Sequence, residues 1–260
     1  MMYKRYRVKL SETEILTTQD RLFYKNKGDE ILEKMRPETA GNMISRLFDN
    51  QDVFDARLLT GEWFPPVEAD IFISHSHRDV DKAVCFVGWL YEHFGVKAFV
   101  DAKLWHYADD LLKEIDNRKT KLDSGHYSYE SRNISTAHSH VMLMSSLLSM
   151  MDKTECLLFI EGENALSCSE PNSEKTSSPW IYTELMASKL MRINEPKRII
   201  HVINDSAIFE HAGTEALSIE YPINDILHDI PQMTSYHLQK WHDSHVTKGA
   251  VALDTLYGII

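Results

Sequence analysis

No stretch of this 260-residue chain comes near the roughly 20 consecutive apolar side chains that a membrane helix requires. The opening Met-Met-Tyr-Lys-Arg-Tyr-Arg-Val-Lys is basic but has no apolar run behind it, so no secretory leader is expected. Together these absences predict a cytoplasmic protein with no membrane partner. Cysteine is scarce as well. Cys85, Cys156 and Cys168 form an odd set without close spacing, and the first two lie inside apolar patterns, which predicts structural thiols. Positive charge is also short: 28 Lys and Arg stand against 39 Asp and Glu, for a formal charge of −11. Nucleic-acid affinity rests on clustered cations, and the basic segment Lys4 to Lys9 is too short to reverse that balance, so no nucleic-acid partner is expected. His138 and His140, two apart on a helical stretch, point to different faces, which is poor geometry for one metal. What the chain does have is 43% hydrophobic residues, enough for a sizeable core.

From Pro65 and Pro66 onward the pattern becomes regular. A continuous apolar strand at 70–74 is followed by an amphipathic helix at 80–94, closed by Gly95, and a second strand at 96–100. After a helix near 107–117 and a polar stretch at 118–133, read as a surface insertion, a Met- and Leu-rich helix at 136–151 has the spacing of core filler. Further strands are expected at 155–160, 198–203 and 217–221, with helices starting at 179 and near 233. Strands alternating with helices predict an α/β fold, a flavodoxin-like, doubly wound, five-stranded parallel sheet in the order 2-1-3-4-5. Residues 1–68 read as an N-terminal extension, with helical segments at 29–35 and 40–48. The domain proper then runs over 69–245 and 246–260 is a C-terminal tail.

In that strand order the first and third strands are neighbours, and ligands bind beyond their C-terminal ends. The first strand ends at Ser74-His75-Ser76-His77. The third feeds the polar loop 161–177, a candidate lid, and then Ser178-Pro-Trp-Ile-Tyr-Thr-Glu184. Pro179 suits a first helical turn, and Ser177 or Ser178 can cap it. Trp180 and Glu184, four apart, share one helix face, so an aromatic wall flanks a single carboxylate. Taken alone, such a pair reads rather as a core aromatic and a solvated helix residue.

The run Asp70-Ile-Phe-Ile-Ser-His-Ser-His-Arg-Asp79 resembles the first sequence box of TIR (Toll/interleukin-1 receptor) domains. Trp180-Ile-Tyr-Thr-Glu184 resembles the Trp-x-x-x-Glu element that follows the third strand in bacterial and plant members. The resemblance covers residues 69 to 245. It implies an enzyme that cleaves NAD+ as substrate, with no further cofactor and no metal, and Glu184 as the catalytic carboxylate. Phe72, Ser74 and His75 would hold the dinucleotide from the first-strand box, together with Asp101 and Trp105 from the loop after the second strand and Trp180 beside the acid. His75 stands where the family more often has Tyr. Similar proteins of Thoeris-type anti-phage defence make a nucleotide signal for a separate effector protein, so the resemblance also implies a homo-oligomer, an effector partner and a phage-derived trigger. A non-catalytic scaffold module, assembling through the loop at 101–107, is the alternative that the same resemblance leaves open.

One acid is chemically sufficient for that reaction. Nicotinamide leaves as a neutral base, so nothing has to protonate it, whereas glycosidases need a second carboxyl for a poor leaving group. The requirement is a fixed carboxylate near the ribose as positive charge gathers at its glycosidic carbon. Water, an internal base nitrogen or an added nucleophile would then give ADP-ribose, a cyclic product or a conjugate.

Overall fold

A computed structural model describes residues 2–13, 17–36, 55–105, 108–121, 126–167, 174–196, 220–244 and 248–260. The chain divides into two compact units, Met1–Lys34 with Glu68–Val100 and Met151–Ile260, and Met35–Val67 with Asp101–Met150.

The first unit is built on a five-stranded, all-parallel sheet. In chain order its strands are β1 (Lys4–Val8), β2 (Ile71–Ser74), β3 (Ala98–Phe99), β4 (Cys156–Ile160) and, after two short strands outside it, β7 (Gln232–Met233). The outside pair, β5 (Lys175–Thr176) and β6 (Tyr221–Pro222), forms a separate antiparallel ribbon. Helices α1 (Thr18–Met35), α3 (Val80–Phe94), α7 (Pro179–Leu190), α8 (Asn224–His228), α9 (Ser235–Asp243) and α10 (Val251–Tyr257) belong to the same unit, apart from the last residue of α1. The α/β class and the five-stranded parallel sheet are therefore as the sequence predicts.

The strand order is not. It runs β3-β2-β4-β1-β7, so the strands expected as second, first and third do lie side by side, but the next two places are taken by other segments. The expected fourth strand, 198–203, lies outside the described residues. The expected fifth reaches only Tyr221–Pro222 among them, and it pairs antiparallel with β5. In their stead β1 lies between β4 and β7, within a segment read as an extension. The 246–260 tail is likewise part of the core: Ala252, Leu253 and Leu256 of α10 are fully buried, and Tyr257 donates to Glu155 Oε1 at 2.9 Å.

Paired residues of a parallel sheet share a face. One face therefore carries Phe72 and Ser74 of β2, Leu157 and Phe159 of β4, and Arg5 and Arg7 of β1. Helix α7 lies on it, with Arg5 Nη1 donating to Ser188 Oγ at 3.3 Å. The other face carries Tyr6, Val8, Ile71, Ile73 and Leu158, all buried. On that side the Tyr257 hydroxyl of α10 reaches the Cys156 thiol, whose pKa burial pushes far up. Helices thus cover both faces, as a doubly wound sheet requires.

Helix α3 begins with Val80, after a 3-10 turn at His77–Asp79, and ends at Gly95, whose φ of 64° and N–H bond to the Tyr91 carbonyl make the left-handed cap. Every residue from Ala83 to Leu90 is buried, because α1 packs on its outer side. Two glycines allow that approach: a Cβ on Gly88 would stand 1.9 Å from the Tyr24 carbonyl oxygen, and one on Gly28 2.0 Å from that of Val84. Gly88→Ala is therefore expected to destabilise the protein by about 3 kcal/mol or more in urea unfolding, because both obstacles are backbone. The gain of about 1 kcal/mol in helix propensity does not offset that.

The second unit holds α2 (Ala56–Trp63), α4 (Asp101–Leu104), α5 (Ala108–Lys119) and most of α6 (Tyr129–Lys153). Helix α6 starts before the expected 136, inside the stretch read as an insertion, and the reason is a buried acid on α5. Asp116 is 4% exposed and accepts from Arg132 Nε at 2.9 Å and from Ser135 Oγ at 2.5 Å, which draws the first turns of α6 onto α5. The helix expected at 40–48 lies outside the described residues.

Candidate functional site

The chain passes from β2 outward to β3 and returns to β4 on the opposite side of β2, so the direction of winding reverses between β2 and β4. That is the switch point at which parallel α/β sheets bind ligands. Ser74 is the last residue of β2. The residue is 1% exposed, and its hydroxyl donates to Glu184 Oε2 at 2.6 Å, a short hydrogen bond.

Local sequence explains how Glu184 comes to be there. Ser178 Oγ accepts from Ile181 N at 3.3 Å, Pro179 fills the first turn, and α7 runs down the sheet with Ile181, Glu184, Leu185 and Ser188 buried at helical spacing. Glu184 is thus on the sheet-facing stripe and 5% exposed. Trp180, one turn earlier, is half-buried. On α7's flank the Tyr182 ring stacks on Tyr221 of β6, centroids 4.6 Å apart.

His75 is 9% exposed, and its Nδ1 lies 3.2 Å from the Ile73 carbonyl. A carbonyl only accepts, so Nδ1 is the donor of this bond. Ser76 then caps the 3-10 turn by accepting from Arg78 N. Asp79, 1% exposed, pairs through Oδ1 with Lys82 at 2.6 Å and accepts from Asn164 Nδ2 at 2.9 Å, tying the loop after β4 to the loop after β2. Its Oδ2 is buried without a hydrogen-bond partner among the described residues and faces Gly162.

Of the residues singled out from sequence, Ser74 and Glu184 meet, with His75 next to Ser74 and Trp180 one turn before Glu184 on α7. Phe72 does not join them as a binding group: it is 1% exposed, a core ring packed on Phe99 with centroids 5.3 Å apart. Asp101 opens α4 and, with Trp105, belongs to the second unit. Trp105 is buried there against Phe64 and donates its indole N–H to the Pro65 carbonyl at 2.8 Å, contacts typical of a core residue. Asp79 and Asn164 escaped the sequence reading. Asp79 stood inside the first-strand box, and the Asn164 partnership has no sequence signal.

A cavity of about 430 Å³ lies elsewhere in the same unit, among Tyr24 of α1, Trp89 and His93 of α3, and Tyr236 and His242 of α9. It shares no residue with the Ser74–Glu184 site. The Tyr24 hydroxyl is 2.9 Å from His93 Nε2, and the His93 and His242 rings meet edge-on at 4.5 Å. Burial first, then the neighbouring His242 and Lys248, lowers the His93 pKa below its ordinary 6.5, against the pull of Glu92. The unfolded imidazole therefore binds a proton more readily than the folded one. Stability is full above the ordinary imidazole range and falls as pH drops through it. Tm is expected to decline between pH 7.5 and 5.5, and His93→Gln to flatten that decline in thermal melts read by circular dichroism.

No family model matches this chain, and no curated protein or solved structure matches it either.

Proposed function

We propose that this chain is a TIR-type enzyme that cleaves the nicotinamide–ribose bond of NAD+, with Glu184 as its catalytic carboxylate. The observation that carries the reading is the 2.6 Å bond between Ser74 and Glu184 at the point where the sheet reverses its winding. The two sequence boxes that resemble TIR elements are far apart in the chain, and these are the residues through which they touch.

The chemistry follows from what a fixed, ionised carboxylate does beside a ribose. Ser74 holds one carboxylate oxygen and so fixes the plane of the group. The carboxylate accepts hydrogen bonds from the ribose hydroxyls and offsets the positive charge that gathers at the glycosidic carbon as neutral nicotinamide departs. Trp180, on the same helix face one turn away, supplies an apolar wall. Water attacking that carbon gives ADP-ribose, and an internal base nitrogen or an added nucleophile gives a cyclic or conjugated product. In this reading the product signals to a separate effector in anti-phage defence, a homo-oligomer is the active species and a phage-derived factor is the trigger. Chromatography of the protein incubated with NAD+, beside Glu184→Gln, tests the activity, and the mass of the product assigns its type.

The low exposure of Glu184 favours one alternative, a non-catalytic TIR module in which the acid only ties α7 to β2. NAD+ left unchanged after forced clustering of the protein would decide for it.

A further inference from the structure

The C-terminal edge of the sheet carries a second charged cluster, two strands from Ser74. Ser74 of β2 and Arg7 of β1 are both in register with Phe159 of β4, so they stand on the same face at the same level, about 10 Å apart at two strand spacings. The Arg7 head lies beyond the end of β4: its Nη1 is 3.8 Å from Glu161 Oε2, the residue that follows that strand, and 3.5 Å from Glu174 Oε1. Lys9 Nζ is 3.6 Å from Glu161 Oε1. These ion pairs are long. Arg7 is 23% exposed at its side chain, and its Nε is buried with no hydrogen-bond partner among the described residues. A guanidinium offers five donors in a fixed fork, and here the protein leaves that capacity partly unmet. Gly162 lies between this cluster and the Asp79–Asn164 bridge and puts no side chain across the edge.

We propose that Arg7 is the anion-binding residue of the site, taking the pyrophosphate of a dinucleotide whose ribose lies at Glu184. This rests on the reading of Glu184 given above and extends it to the substrate's charge. A carboxylate at the sugar end and a cation at the phosphate end, on one face of one sheet edge, match the order of groups along a nicotinamide dinucleotide. Phosphate binds a guanidinium through paired N–H donors, and such charge-assisted bonds are stronger than neutral ones. The same geometry favours NAD+ over nicotinamide riboside, which has no phosphate to present to Arg7.

Calorimetric titration of inorganic pyrophosphate into the wild-type chain, Glu184→Gln and Arg7→Gln tests this. Wild type and Glu184→Gln are expected to bind alike, and Arg7→Gln to bind at least about tenfold more weakly. Equal binding by all three, or no binding to the wild type, overturns the proposal. NAD+ turnover on the same samples separates the two readings. If NAD+ is untouched while Arg7→Gln alone loses pyrophosphate, the anion site stands and the Glu184 enzyme does not. If NAD+ is cleaved with the same KM by wild type and Arg7→Gln, the anion site falls alone. Should Arg7→Gln fail to fold, the guanidinium nitrogen resonance of Arg7 in labelled wild-type protein is read instead: a saturable shift with pyrophosphate supports the site, and an unmoved signal overturns it.

Discussion

Glu184→Gln is expected to leave the fold intact and to lower NAD+ cleavage by about a thousandfold or more. Glutamine has nearly the same shape and keeps an oxygen that can accept the Ser74 hydroxyl, so the 2.6 Å contact between α7 and β2 survives. What disappears is the negative charge. Positioned electrostatic groups in a water-excluded site are commonly worth about 10² to 10³ in rate, and here a full charge acts against a full developing charge. Ser74→Ala keeps the carboxylate but frees its plane, and the expected loss is smaller, about tenfold, the usual worth of one hydrogen bond to a charged group. Matching circular-dichroism spectra and melting temperatures would show that both variants are folded. An unchanged rate in Glu184→Gln would remove this acid from the chemistry, whatever product the protein makes.

Removing residues 1–9 is expected to unfold the first unit altogether. The deletion takes out a strand that pairs with β4 along its whole length and with β7 at its end. It also removes Tyr6 and Val8, which are 2% and 0% exposed. Each buried side chain of that size contributes about 1.5 to 3 kcal/mol, and each ladder hydrogen bond about 1 kcal/mol net. Their sum is of the order of the 5 to 15 kcal/mol that typically separates a folded domain from its unfolded chain. Circular dichroism and gel filtration of the truncated protein check this. A chain that expressed, stayed soluble and melted cooperatively without β1 would show that β4 and β7 can close on each other.

Why β1 was hidden in the sequence is clear from its side chains. Interior parallel strands are expected to be continuously apolar, as Ile71–Ser74 and Cys156–Ile160 nearly are, and both were legible for that reason. Lys-Arg-Tyr-Arg-Val has a charge at every other position or closer. The structure accommodates those charges because the long stem of Arg5 runs under α7 to Ser188 and that of Arg7 reaches the Glu161–Glu174 pair beyond β4. The period-two alternation of Tyr6, Val8 and Leu10 was the available signal, and three positions next to a polar stretch are too few to stand out. Glu184 and Ser74, by contrast, were singled out by the resemblance of their two boxes to TIR elements, and local chemistry placed them: a proline and a capping serine set the helix register, and a strand end set the hydroxyl. Trp105 shows the limit of such inference. Its loop was identified by order along the chain, but which way an indole turns depends on Phe64 and Pro65, residues that no spacing rule connects to it.

The place of β1 has a further consequence for biosynthesis. The ribosome delivers this strand ahead of the other described strands, yet the segments that will flank it, Cys156–Ile160 and Gln232–Met233, emerge much later. Such distant pairing is slow to form. During the wait both hydrogen-bonding rims of the strand are open to other nascent chains, and the cations at Lys4, Arg5, Arg7 and Lys9 discourage that edge-to-edge association. The charges that disguise the strand thus also guard it until its neighbours arrive.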